Sequence, residues 1–251
     1  MNERRAQIND YIQRKQEVFL NELRELVPDV SEMTIRRDLE ALEQEGSIVR
    51  IHGGAKSVKF INRLVEDVFS KRLSANTEKK RVIGEKAAAL IVAEHSIYID
   101  AGSTTMALAE RIPDQRLLIS TSGLNIALEL LRLSNSTLNV IGGEVNRSSI
   151  SVAGPQALAA IGNLNIDMAF IAATAFSPEA GFSCGNVHDC ELKREVLRRA
   201  KQRVLLMDSS KIGKTMPYTF ANASDIDILI CDEELPTQVR EIFQNHGVTI
   251  R

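Results

Sequence analysis

Asp100-Ala101-Gly102-Ser103-Thr104-Thr105 sets a carboxylate, a glycine and a run of hydroxyls directly after the apolar stretch Ser96-Ile97-Tyr98-Ile99. The order predicts a strand ending at Asp100 and a helix from about Thr104 to Arg111, with a turn between them suited to an anion. Free backbone N–H groups, the helix dipole and the hydroxyls of Ser103, Thr104 and Thr105 would all face outward, and Gly102 would let a ligand approach the backbone. Similar polar loops follow other apolar runs: Ser122-Gly123, Gly142-Gly143-Glu144 and Asp208-Ser209-Ser210-Lys211. The last adds a cation suited to phosphate. Open α/β sheets bind ligands at the carboxyl ends of their strands, so these loops are expected to converge on one edge. A plain capped turn would use the same residues, and the Asp100 segment alone does not separate the two.

A second constellation has the chemistry of nucleic-acid contact. Ser31 is an N-cap candidate with Thr34 in the turn that follows, and Ile35, Leu39 and Leu42 then recur at helical spacing. Arg36 and Arg37 lie off that stripe and face water. Gly46 ends the helix, and Ile48, Arg50 and His52 alternate with Ser47, Val49 and Ile51 ahead of Gly53-Gly54, which reads as a short hairpin. Upstream, Ile8, Tyr11 and Ile12 mark one amphipathic helix, and Phe19, Leu20, Leu23, Leu26 and Val27 a second. Pro28-Asp29 breaks the chain before Ser31. This is the layout of a winged helix-turn-helix, whose third helix enters the major groove while the wing lies along the backbone. Ser31, Thr34, Arg36 and Arg37 are then expected at the duplex from the helix, and Arg50, His52 and Lys56 from the wing. A surface bundle with an ordinary arginine-bearing helix shares this spacing, and the residues alone leave it open.

The elements that must position these groups fall into two styles. Residues 1–57 are the small helical domain, 58–78 read as a linker with a turn or two of helix around 65–73, and 79–251 read as α/β. In that last part short apolar runs at 96–100, 117–120, 138–141, 168–172, 204–207 and 226–230 alternate with helical patterns at 82–92, 104–111, 124–133, 191–199 and 234–245. A further helix is drawn from Gly213 onward. Strands alternating with helices predict a mainly parallel sheet covered on both faces. The fold expected is therefore α/β, a small winged helix-turn-helix joined to a larger parallel-sheet domain.

Composition narrows the function. With 251 residues and 44% hydrophobic content, yet no apolar run near the length of a bilayer span, the chain reads as soluble, cytoplasmic and without a membrane partner. Met1-Asn2-Glu3-Arg4-Arg5 leads into a polar helix rather than a signal-peptide core. Cys184, Cys190 and Cys231 are odd in number and lack paired spacing, which argues against a disulfide framework or a zinc site. His188 beside Asp189 and Cys190 cannot converge with them on one ion, so no metal and no cofactor are expected. The net charge is −2, and acids and bases nearly balance over residues 1–59, so DNA contact must come from a locally basic face that Arg4 and Arg5 would extend. So weak a field per domain suggests several DNA-binding heads, hence a homo-oligomer, dimer or tetramer.

Residues 31–55, S-E-M-T-I-R-R-D-L-E-A-L-E-Q-E-G-S-I-V-R-I-H-G-G-A, resemble the N-terminal signature of the DeoR family of bacterial transcriptional regulators of sugar metabolism, nearly residue for residue. D-A-G-S-T-T, I-G-G-E, N-I-D-M-A-F-I and L-K-R-E-V-L-R-R-A…V-L-L-M-D-S-S-K-I-G resemble that family's effector domain, itself similar to ribose-5-phosphate isomerase. The resemblance covers almost the whole chain. It implies double-stranded operator DNA and a phosphorylated sugar or related metabolite as partners, and repression of a sugar operon as the mode. The expected effector-binding set is Asp100, Gly102, Ser103, Thr104, Thr105, Ser122, Gly142, Gly143, Lys193 and Lys211. Ser122-Gly123 replaces the family's usual Asn-Ser, and Phe182-Ser183-Cys184-Gly185-Asn186 departs from its common Leu-Thr form; both bear on which effector fits.

Regulator, sugar-phosphate isomerase with an appended domain, and architectural scaffold compete as classes. The isomerases carry closely spaced carboxylates just after the strand at 168–172, for proton transfer at the sugar carbonyl and hydroxyl. Ile171-Ala172-Ala173-Thr174-Ala175-Phe176 has none. Glu195 falls near where the isomerase base would lie, but a base without partners makes a poor enzyme. A scaffold would not need the anion loops. The expectation is a pocket that binds without turnover, with no catalytic residue.

Overall fold

The structure is a computed structural model that describes residues 3–58 and 66–251. It divides into two compact units, 1–65 and 66–251.

In the first unit α1 (Glu3–Lys15), α2 (Leu20–Leu26) and α3 (Glu32–Gln44) precede the hairpin of β2 (Ile48–Ile51) and β3 (Gly54–Ser57). Ser31 caps α3, its hydroxyl accepting from the Thr34 N–H at 3.3 Å. Gly46 follows the helix with φ +73°, the left-handed conformation glycine adopts without cost. The stripe Ile35, Leu39 and Leu42 is the face that α3 buries, against Ile8, Ile12, Leu23, Ile48 and Ala55. Each such side chain contributes roughly 1.5–3 kcal/mol of burial.

One element departs from the sequence reading. Phe19, grouped there with the second helix, belongs with Glu17 and Val18 to a strand, β1 (Glu17–Phe19), that pairs antiparallel with β3. Val18 points into the core while Phe19 is half exposed, a two-residue alternation too short to read without its partner. The pairing draws the backbones close: a Cβ on Gly54 would lie 2.2 Å from the Val18 carbonyl oxygen.

The second unit is built on a seven-stranded sheet, every neighbouring pair parallel. Its strands are β4 (Ser96–Ile99), β5 (Leu118–Thr121), β6 (Thr137–Val140), β9 (Ile166–Ala172), β12 (Ala200–Leu206), β14 (Ile228–Ile230) and β15 (Thr249–Ile250), ordered β15-β14-β12-β9-β4-β5-β6. Along β4, Ile97 and Ile99 enter the core of one face and Tyr98 that of the other. β9 does the same with Met168 and Phe170 against Ala169 and Ile171, so both faces are buried. The helices covering it are α4 (Phe69–Ser74), α5 (Thr77–Ala88), α6 (Ser103–Ala109), α7 (Leu124–Leu130), α8 (Pro155–Gly162), α9 (Val187–Arg199) and α10 (Thr237–Asn245).

Several features were not anticipated. A hairpin of β7 (Glu144–Asn146) and β8 (Ser151–Ala153), and a small antiparallel sheet of β10 (Ala175–Ser177), β11 (Gly181–Cys184) and β13 (Tyr218–Ala221), are too short to signal in sequence. The helix drawn from Gly213 is absent. Gly213 takes φ +73°, Pro217 follows, and the chain enters β13. The segment read as a linker is divided: residues 59–65 lie outside the described residues, and 66–76 pack within the larger unit. There Phe69 is buried with its N–H bonded to the Ser148 carbonyl at 2.8 Å, and Asn76 donates to Asp208 at 3.1 Å.

Candidate functional site

A pocket opens at the carboxyl edge of the parallel sheet. Asp100, Gly102, Ser103 and Thr104 line it from the turn after β4, Ser122 from the turn after β5, and Ala172, Ala173 and Thr174 from the turn after β9. Lys193 enters from α9 and Lys211 from the loop after β12.

Each group is held by local geometry. The Asp100 carboxylate accepts the Ala172 N–H at 3.0 Å, bridging the ends of two neighbouring strands, and also accepts from the Lys193 ammonium. Lys193 donates to the Ala172 carbonyl at 2.9 Å as well. Burial works against the Lys193 charge, but the attraction of Asp100 outweighs it and raises the pKa. Asn186 caps α9, accepting the N–H groups of His188 at 2.8 Å and Asp189 at 3.2 Å, and so fixes the helix carrying Asp189 and Lys193 one turn apart on the pocket face. Burial pushes the Asp189 carboxyl up to about 6, with Lys193 pulling the other way and Asp100 and Glu66 adding repulsion. Asp208 accepts the Ser210 N–H at 3.1 Å and so caps the short turn Ser209–Lys211 that presents Lys211. The Lys211 ammonium makes no ion pair or hydrogen bond among the described residues, and burial lowers its pKa.

Some expected residues lie elsewhere. Thr105 is fully buried and turns its hydroxyl back to the Gly102 carbonyl at 3.0 Å, so it does not face the pocket. Gly142 and Gly143 do not line it: a Cβ on Gly143 would lie 2.6 Å from the Ala153 carbonyl oxygen, so this glycine serves the approach of β8. Three of the four loops converge, not all four. Glu195 is absent from the lining and pairs with Arg198 at 2.5 Å. His188 is exposed, 3.5 Å from Glu191.

Other lining residues were missed. Ser149 and Ser151, in mutual hydrogen bond at 2.6 Å, come from the unanticipated hairpin. Glu66 and Arg72 come from the segment read as linker. Asp189 was set aside with His188, although the Asn-to-Lys spacing of a capped helix puts Asp189 and Lys193 on one face and was there to be read.

On the smaller unit, Ser31 and Thr34 face each other at the start of α3, their hydroxyl oxygens 3.0 Å apart. Arg36 is paired with Glu32 at 2.8 Å and remains largely exposed. Arg37 is exposed and makes no ion pair among the described residues, and His52 is exposed at the wing tip. Lys56 pairs with Glu17 across the β1–β3 ladder at 3.2 Å. Arg50 is held by Glu40 and Glu43, each at 2.8 Å, clamping the wing to α3. Arg4, from the notional basic face, pairs with the buried Asp38 at 2.7 Å, and Arg5 lies 3.5 Å from the same carboxylate. The open cationic surface is therefore narrower than composition suggests and centres on α3.

The family model described as the DeoR-like helix-turn-helix domain matches residues 4–60, and that of the DeoR C terminal sensor domain matches residues 75–233. The HTH-type transcriptional regulator GolR of Listeria innocua is 33% identical over 250 residues, covering 99% of this chain and 97% of that protein. The HTH-type transcriptional repressor GlcR of Bacillus subtilis is 29% identical over 249 residues, covering 99% and 95%. A solved ribose 5-phosphate isomerase A from Methanocaldococcus jannaschii overlaps 55% of each chain at 14% identity and a TM-score of 0.41.

Proposed function

Because this chain belongs to the DeoR family of HTH-type transcriptional regulators, we propose that it represses a sugar operon, binding operator DNA through α3 and the wing. Its operator affinity is set by a phosphorylated sugar, or a related metabolite, held in the pocket of the larger unit. One observation carries this reading: a half-buried Lys211, with no ion-pair partner among the described residues, faces the hydroxyls of Ser103, Thr104 and Ser122 across a pocket at the sheet's carboxyl edge. A phosphate supplies the missing negative charge and its oxygens accept from the hydroxyls. The pocket's carboxylates serve the architecture more than proton transfer. Asp100 is engaged by Lys193 and Ala172, and Glu66 by Arg72 and Thr174, which leaves Asp189 as the carboxylate free of hydrogen bonds among the described residues. Isomerisation needs a coordinated acid and base, so the pocket binds without turnover.

The protein works as a cytoplasmic homo-oligomer, since one α3 offers few open cations to a duplex. Ligand shifts operator binding only through its differential affinity for two arrangements of the DNA-binding heads, with a coupling of about 1–3 kcal/mol expected. Thermal denaturation of the full chain against phosphorylated sugars and their unphosphorylated counterparts tests the reading. A binder at 100 times its dissociation constant adds about 2.7 kcal/mol. Equal stabilisation with and without the phosphate group would refute the anion site, and a tight binder that leaves operator affinity unmoved would refute the coupling.

A further inference from the structure

We infer that Arg72 is a second anion-binding group of this pocket, and that a bound phosphate takes it in exchange for Glu66. The inference rests on the reading of the pocket as a site for a phosphorylated ligand. Arg72 and Glu66 both line the pocket and pair with each other, Nη1 to Oε1 at 2.6 Å. Both side chains are shielded, 12% and 18% exposed, so the pair is not a solvated surface contact of negligible weight. Thr174, from the turn after β9, donates to the same Glu66 oxygen at 3.0 Å.

The guanidinium is incompletely satisfied. Its Nε is buried and has no hydrogen-bond partner among the described residues. A guanidinium offers five donors in a planar fork that matches a phosphate edge, and here the Nε donor is unused. A buried donor without an acceptor is costly, so a ligand oxygen reaching it recovers free energy that Glu66 does not supply. The backbone carrying Arg72 is fixed independently of Glu66. Lys80 donates to the carbonyls of Arg72 and, at 2.5 Å, Ala75, anchoring the end of α4. Arg72 can thus exchange partners while its backbone stays in place, whereas Glu66, ahead of α4, is held through its side chain by Arg72 and Thr174. The exchange removes one of the two side-chain holds on Glu66, at the end of the unit that follows the DNA-binding residues in sequence, and leaves that of Thr174.

Inorganic phosphate titrated into the full-length chain by calorimetry separates the possibilities. Arg72→Gln weakens phosphate binding by about tenfold or more, the loss of a charge-assisted hydrogen bond. Glu66→Gln removes the competing carboxylate and tightens binding at least about threefold. In the Arg72→Gln background that gain disappears, because its origin is the freed guanidinium. Should Arg72→Gln fail to fold, Arg72→Lys, which keeps the charge and loses the fork, takes its place in the cycle: a Glu66→Gln gain that shrinks in that background supports the exchange, and an undiminished gain overturns it. Wild-type protein that binds no phosphate overturns the reading of the pocket itself. Phosphate binding that ignores both substitutions, or a Glu66→Gln gain that survives without Arg72, overturns only the exchange.

Discussion

Asp189→Asn should stabilise the larger unit at neutral pH and do little in acid. Burial raises the Asp189 carboxyl from 3.8 to about 6. The folded chain therefore holds this proton more tightly than the unfolded chain does. Between pH 4 and 6 this group binds fewer protons in the unfolded state, so the contribution of Asp189 to stability falls as pH rises through that window and levels off above it. At about 1.36 kcal/mol per pKa unit, the shift corresponds to roughly 3 kcal/mol above pH 6. Asparagine never ionises and escapes that cost, but it forgoes the attraction between a carboxylate and the first turn of α9, worth about 0.3–1 kcal/mol. The net gain is about 2 kcal/mol at pH 7.5, or roughly 4–8 °C for a unit of this size, shrinking towards zero near pH 4. Differential scanning calorimetry of both proteins at pH 4 and 7.5 gives the answer. A shift equal at both pH values, or a variant less stable at pH 7.5, would refute the assignment of a carboxyl raised by burial. The same charge opposes an anion in the pocket, so Asp189→Asn should also tighten phosphate binding at pH 7.5. Phosphate's own ionisation cancels in the comparison between variant and wild type at one pH.

Other perturbations probe separate parts of the molecule. Arg37→Ala should cost about 1–3 kcal/mol on operator DNA if Arg37 reads a base, with a smaller loss on random sequence. If it touches phosphate, both should weaken alike and the salt slope of binding should fall by about one; unchanged binding to either DNA removes α3 from the interface. Gly54→Ala drives a Cβ against the Val18 carbonyl, and should destabilise the small unit by about 1–3 kcal/mol or more while the melt of the larger unit stays in place. Lys211→Ala should abolish the thermal response to phosphorylated sugars and leave operator binding intact, as gel-shift titration would show. Purified protein should not interconvert aldose and ketose phosphates even at high concentration, and measurable turnover would favour the isomerase reading.

The elements carried by long periodic patterns were legible from residues alone. Ile35, Leu39 and Leu42 announce the buried face of α3, and Ser31 and Gly46 its two ends, because capping and helical spacing are local physics. The apolar runs of β4, β5, β9 and β12 alternate with helices closely enough to announce a parallel sheet, and that sheet topology places Asp100, Ser122 and Lys211 at one edge. What the sequence could not settle is which polar groups remain free once the chain folds. Thr105 shares the D-A-G-S-T-T motif yet turns inward, Gly143 serves a backbone crossing, and Arg50 is taken up by Glu40 and Glu43. Glu66 and Arg72 looked like linker, and Asp189 entered only as a neighbour of His188 that cannot share an ion with it, whereas packing carries all three into the pocket. Hydrogen-bond partners, burial and the pKa shifts they cause depend on neighbours distant along the chain, and only the tertiary structure brings those neighbours within reach.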